Sequence, residues 1–272
     1  MADGSQDGNR TRRRADRWVR ASGRAGFVAR GTVYLLVGYL ALRIAFGGDG
    51  SEEADRQGAL QHVSEQPFGR AALWLLAAGF ACMTLWRATE ALDGGRGKHR
   101  TAGRILNAGR AVFYAAVCWA TAAFAAGAGA SESSDTKSRD WTATLLGEPG
   151  GRYLVGAAGL VVIGVAVGAA VRGLLRKFLD KLDTTAMASR TRTAVTAVGV
   201  AGTTARGVVF AAVGLFLLLA AIRFDPGRAK GVDDTLRTFA ATPAGPWLLA
   251  LVAAGLLLFG LFSYATARWR RL

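Results

Sequence analysis

The chain has 272 residues, 51% hydrophobic and 9% aromatic, with 36 Gly, 5 Pro, 2 Cys and a formal net charge of +15. Its apolar residues gather into the uncharged runs Ala111–Ser131, Tyr153–Val171 and Phe239–Ala267, each near or above the roughly 20 residues that carry a helix across a hydrocarbon core. That pattern excludes a water-soluble domain, and it turns the basic charge from a nucleic-acid indication into a question of membrane sidedness.

Six spans are predicted in chain order, at about residues 27–46, 71–90, 108–130, 152–171, 200–222 and 246–267. Residues 1–25 are polar and Arg-rich, and are expected to form a disordered basic tail along anionic headgroups. The first span follows this tail and precedes Ala45-Phe46-Gly47, as a cleavable signal would. Arg43 interrupts it, however, and a near copy recurs at 206–222, so it is read as an uncleaved span.

Sidedness follows from counting Lys and Arg. The tail to Arg30, the 87–110 and 172–206 loops and the C-terminal Arg268, Arg270 and Arg271 carry a net +17; the other three loops carry −2. Basic loops face the cytoplasm, so both termini are placed there, in the plasma membrane. Trp86, Trp141, Trp247 and Trp269 fall at span ends, where indoles anchor at the interface, and Trp119 falls within the third span.

One unit occurs three times, over 26–93, 104–173 and 199–270. Its first half reads Ala29-Arg30-Gly31 with Tyr34 in copy one and Ala205-Arg206-Gly207 with Phe210 in copy three. Copy two keeps Arg110 and Tyr114 but has Ala111 in place of Gly. The second half opens with Pro67-Phe68-Gly69, Pro149-Gly150-Gly151 and Pro243-Ala244-Gly245, followed by Ala77-Ala78-Gly79, Ala157-Ala158-Gly159 and Ala253-Ala254-Gly255. Before each Pro lies a short amphipathic stretch: Leu60 and Val63, Leu145 and Leu146, Leu236 and Phe239. Short helices on the outer surface are expected there, with Pro starting the returning span.

The repeated Ala-Arg-Gly with its following aromatic, and the Pro-x-Gly opening each return helix, resemble the actinobacterial membrane proteins grouped as domain of unknown function twelve-zero-six. The resemblance covers about residues 20 to 270. It implies three copies of a two-helix unit and assigns no activity. The expected fold is therefore an all-α membrane protein of six transmembrane helices, built as three tandem two-helix repeats with pseudo-threefold symmetry along the membrane normal, plus short amphipathic external helices. Units of two spans share one orientation, so the inverted repeats of many transporters are not expected.

Arg30, Arg110 and Arg206 are the candidate anion or lipid-headgroup residues, one at the cytoplasmic entry of each unit. Guanidinium binds phosphate or carboxylate bidentately; the competing structural role is snorkelling to headgroups at a helix end. Arg43 and Arg223, at outer span ends, are read as snorkelling. Catalytic chemistry finds no candidates. His62 is external and His99 cytoplasmic, no Asp, Glu, Lys or His lies centrally in a span, and Gly94–His99 lacks phosphate-loop spacing. Glu52, Glu53 and Asp55 are read as a solvated acidic run. No catalytic residue, metal or cofactor is expected.

Gly164 and Gly168 have small-xxx-small spacing and are read as packing within the monomer, with the Leu-rich second and sixth spans facing lipid. The expected partners are the lipid bilayer, anionic lipid headgroups at the cytoplasmic face and an unidentified protein, with no nucleic acid. Two functions remain: a non-enzymatic lipid- or protein-binding or scaffolding role, and a small transporter or permeation pathway for an anionic solute or lipid. An axis packed with Ala, Leu, Phe and Val would oppose transport, and a polar cavity would support it.

Overall fold

A computed structural model describes residues 4–46, 54–93, 100–128, 134–225, 228–241 and 245–270. Glu52, Glu53, the Gly94–His99 loop and Pro243 lie outside the described residues. The helices are α1 (Gly4–Ala45), α2 (Arg56–Ser64), α3 (Gly69–Asp93), α4 (Arg100–Ala125), α5 (Ser134–Gly147), α6 (Gly151–Leu174), α7 (Ser189–Arg223), α8 (Val232–Ala240) and α9 (Gly245–Trp269). Two single 3-10 turns follow α6, and among the described residues the only β pairing is an isolated bridge between Leu182 and Arg270. Six helices, α1, α3, α4, α6, α7 and α9, are long and apolar enough to cross a membrane. They form the units α1/α3, α4/α6 and α7/α9, each carrying one short helix in its connection.

The second helix of each unit packs along the first helix of the next: α3 on α4, α6 on α7, and α9 back on α1. Small residues allow these approaches. A Cβ on Gly31 would sit 3.0 Å from the Gly260 carbonyl oxygen, and one on Gly207 would sit 2.9 Å from the Ala170 Cβ. Two turns further on, Gly38 faces the Ala253 carbonyl and Gly214 the Gly159 carbonyl. Cys118 stands at the matching place in α4, and its Sγ donates to the Ala77 carbonyl at 3.3 Å.

Within a unit the contact is different. Gly79 of α3 meets the Ala29 Cβ of α1, and Gly255 of α9 meets the Ala205 Cβ of α7, at 2.6 and 2.1 Å from an added Cβ. Gly26 and Gly202 let Met83 and Phe259 seat against the same seams. No such seam joins α4 to α6. There the positions of Gly26 and Gly202 are held by Leu106, and that of Gly79 and Gly255 by Val161, which is 64% exposed. The Gly214–Gly159 contact sets this register. It aligns Gly159 with Ala77 and Ala253, so Ala157-Ala158-Gly159 lies two residues out of step with its sequence counterparts.

Pro-x-Gly marks the tightest reversal. An added Cβ on Gly69, Gly151 or Gly245 would lie 2.0, 1.5 or 1.7 Å from the carbonyl oxygen of Val63, Leu145 or Ala240. The returning helices begin at this Gly, two residues after the Pro expected to start them. Phe68 and Gly150 make the turn with φ of 63° and 82°.

Several expectations are corrected. Residues 4–25 continue α1 instead of forming a disordered tail. Because α1, α4 and α7 begin well before their repeated arginines, Arg30, Arg110 and Arg206 lie inside helices and not at helix entries. The Leu-rich α3 and α9 belong to the core, α9 lying between α1 and α7, whereas α4 and α6 are the most exposed spans. Gly164 and Gly168 meet nothing within 4 Å of an added Cβ and face outward. Trp86 is buried against Phe27, with ring centroids 5.2 Å apart. Finally, α2 and α8 insert into one end of the bundle instead of lying on its surface: Ala54, Ala59, Leu60, Thr235 and Leu236 are buried, and Asp55 is the buried N-cap of α2.

Candidate functional site

The first helices of the three units, α1, α4 and α7, do not pack on one another. Between them lies an axial cavity of about 300 Å³. Val33, Val37, Val117, Val209, Phe80 and Leu256 form most of its wall, with Tyr34, Tyr114 and Phe210, the aromatics four residues after each repeated Arg, projecting into it. The axis is therefore neither a packed apolar core nor a polar channel. It is an apolar chamber with a polar floor.

Arg30 and Arg206 make that floor. Arg30 Nε donates to Ser263 Oγ at 3.2 Å, and Ser263 in turn donates to the Phe259 carbonyl at 2.9 Å. Arg206 Nε donates to the Tyr34 hydroxyl at 2.6 Å. Both guanidinium carbons lie 5.1 Å from the centroid of the Phe259 ring; Arg30 also faces Phe27 and Arg206 faces Phe210. The rings supply attraction of about 0.5–2 kcal/mol per contact. Neither arginine forms an ion pair with a carboxylate of the described residues. Two cations thus share an apolar chamber with, among the described residues, only hydroxyls and aromatic faces as partners.

The third repeated arginine does not join them. Arg110 is exposed and donates to Asn107 Oδ1 at 3.3 Å, beside Arg87, which donates to the same oxygen at 3.5 Å and pairs with Glu90 at 2.8 Å. Arg270 reaches Glu90 at 3.6 Å. Burial, followed by repulsion from Arg87, pushes the Arg270 guanidinium down to about 10, and burial likewise lowers Lys181. This second cluster sits at the end of the bundle where α9 finishes and does not line the chamber.

The opposite end of the chamber is roofed by the N-termini of α2 and α8. Asp55, Arg56 and Val232 line the roof, and the Ala54 N–H donates to Asp233 Oδ1 at 2.7 Å, tying the two short helices together. Asp55 Oδ1 accepts from the Gly58 N–H at 2.9 Å, while its Oδ2 is buried with no donor on it. Burial lowers the Arg56 guanidinium, and the adjacent Asp55 opposes that shift. Among the described residues no group of three His, Cys, Asp or Glu side chains is placed to hold a metal ion.

The triple sequence pattern has a match outside this chain. A family described as Domain of Unknown Function (DUF1206) matches residues 25–94, 107–176 and 201–270, one match per unit. The chain belongs to the DUF1206 family. It is also 30% identical over 250 residues to the uncharacterized protein YxxB of Bacillus subtilis (strain 168), covering 90% of this chain and 89% of that one. No solved structure matches it. Pseudo-threefold packing of the repeats would place Arg30, Arg110 and Arg206 at one depth, yet the chamber floor holds only Arg30 and Arg206. The chamber itself, the roof and the missing α4/α6 seam were not read from the sequence. Leu106, standing where two copies have Gly, was the available indication of that seam.

Proposed function

We propose that this DUF1206 protein is a non-enzymatic binding protein of the plasma membrane, with both termini cytoplasmic, whose axial chamber holds the anionic head of an amphiphile on Arg30 and Arg206. The reading rests on two guanidiniums with no carboxylate partner among the described residues, inside an apolar chamber. An arginine at membrane depth costs about 2.5–3.5 kcal/mol on insertion scales. An anionic head recovers part of that cost through bidentate, charge-assisted hydrogen bonds. Valine and aromatic walls suit the apolar portion that follows the head. Arg110, exposed at the cytoplasmic end, contacts bilayer headgroups and not the bound head.

The test is lipid analysis of protein purified in mild detergent. The variant carrying Arg30→Gln with Arg206→Gln should lose an anionic lipid that wild type retains, and Arg110→Gln should keep it. Equal lipid profiles in all three, at equal abundance, would refute the reading. A permeation role draws on the same chamber because it lies on the axis. It is separated by flux of an anionic solute or lipid across vesicles containing the protein.

A further inference from the structure

The chamber has a missing wall, and its place is defined by comparing the three units. Phe80 of α3 and Leu256 of α9 stand at matching positions, line the chamber and are only 3% and 2% exposed. Their counterpart in α6 is Val162, and no α6 residue lines the chamber. On the facing helix, Phe113 occupies the place of the buried Val33 and Val209, lines the chamber and is 59% exposed. One side chain therefore touches both the interior and the molecule's outer surface. On either side of it the unit-two substitutions keep the helices apart: Leu106 and Ile105 on α4 replace the Gly and Ala pairs at 26/25 and 202/201, and Val161 on α6 replaces Gly79 and Gly255. All three are exposed.

We infer that the chamber is entered sideways from the bilayer, through the unsealed side between α4 and α6, so that its occupant is an anionic lipid whose acyl chain lies along Phe113, Leu106 and Val161. This rests on the head-binding reading above and specifies its substrate class and route. Three observations favour a chain-bearing lipid over a water-soluble anion. The roof of α2 and α8, tied together by the Ala54–Asp233 hydrogen bond, covers the external end. The opening is bordered by Phe, Leu, Ile and Val, which offer a hydrated ion nothing. A chamber of about 300 Å³ is at the small end of ligand sites, enough for a head and the start of a chain whose remainder must leave through the gap. Lipid tails cover such an edge at no hydrophobic cost, whereas an ion crossing it would shed its water.

The experiment uses the full chain in vesicles containing a phosphatidic acid with a photoactivatable diazirine midway along one acyl chain. After irradiation, adducts are mapped by peptide mass spectrometry. The expected result is labelling concentrated on the α4 and α6 residues around Phe113, Leu106 and Val161, reduced at least fivefold by Arg30→Gln with Arg206→Gln. In the variant Ile105→Ala, Leu106→Gly, Val161→Gly, which restores the small-residue seam of the other units, the same labelling should fall several-fold while thermal stability is retained. Adducts spread evenly over the outward faces of all six spans, or undiminished labelling after the seam is restored, would overturn the side entrance. If Arg-dependent lipid retention survives in detergent while the adducts map elsewhere, the route fails and the head site stands. If retention does not depend on the two arginines, the head site itself fails.

Discussion

Arg206 of the third unit donates its Nε hydrogen to the hydroxyl of Tyr34 in the first unit, at 2.6 Å across the axis. The matching position in the third unit is Phe210, which offers the same guanidinium a ring face at 4.9 Å but no hydroxyl. The pair therefore joins two repeats through the one feature in which their aromatic positions differ. Tyr34→Phe removes the acceptor and leaves a half-buried charged donor without this partner, a cost of roughly 1–3 kcal/mol. In delipidated protein the thermal midpoint should fall; an anionic lipid supplying new acceptors should raise the variant's midpoint more than that of wild type.

The intra-unit seams predict a sharp asymmetry between equivalent positions. Gly79→Leu would drive a side chain into Ala29, with an added Cβ already 2.6 Å from the Ala29 Cβ, and should destabilise by about 1–3 kcal/mol or more as an overpacking change. Val161→Leu, at the corresponding place in α6, faces outward and should move the thermal midpoint by no more than an ordinary surface change. Equal effects at the two sites would contradict the open α4/α6 side.

Glycines at the Pro-x-Gly reversals should tolerate nothing larger. An alanine at Gly69, Gly151 or Gly245 puts its Cβ within 2.0 Å of a carbonyl oxygen, so the backbone must move at a cost of order 1–3 kcal/mol or more. Gly164→Ala and Gly168→Ala meet open space and should be neutral or slightly stabilising, since alanine favours the helix by up to about 1 kcal/mol. Thermal unfolding in a fixed detergent separates the two sets.

Acid should strengthen the roof. Burial raises the Asp233 carboxyl above its ordinary value, although the Arg237 guanidinium at 2.6 Å and the Ala54 N–H oppose the shift. The native state then binds this proton more readily than the unfolded chain. The contribution of Asp233 to stability therefore increases as pH falls from above its raised value toward about 4, and is lost as pH climbs back through that window. Asp233→Asn should flatten this part of the pH dependence of the thermal midpoint.

The spans were legible because hydrophobic length and charge placement are local properties. Arg30 and Arg206 were visible as repeated residues, and the fold adds that they converge while Arg110 does not. What the chain did not reveal are relations between helices. Ala157-Ala158-Gly159 matches the other triplets letter for letter yet packs two residues out of register, because the Gly214–Gly159 approach decides the alignment and not the string itself. Ala111, the evident departure in copy two, proves tolerable; Leu106 and Val161 keep α4 and α6 apart. The Leu-rich α9 is internal because two neighbours flank it, a fact that its composition does not carry.

The packing of α9 along α1 makes the last helix a neighbour of the first. The α9/α1 seam is of the same kind as those joining α3 to α4 and α6 to α7, so the three units close into a ring in which no unit is first. A circularly permuted gene that starts with the second unit, joins the present C-terminus to α1 and finishes with the first unit should yield the same bundle, with the same single vacancy beside α4.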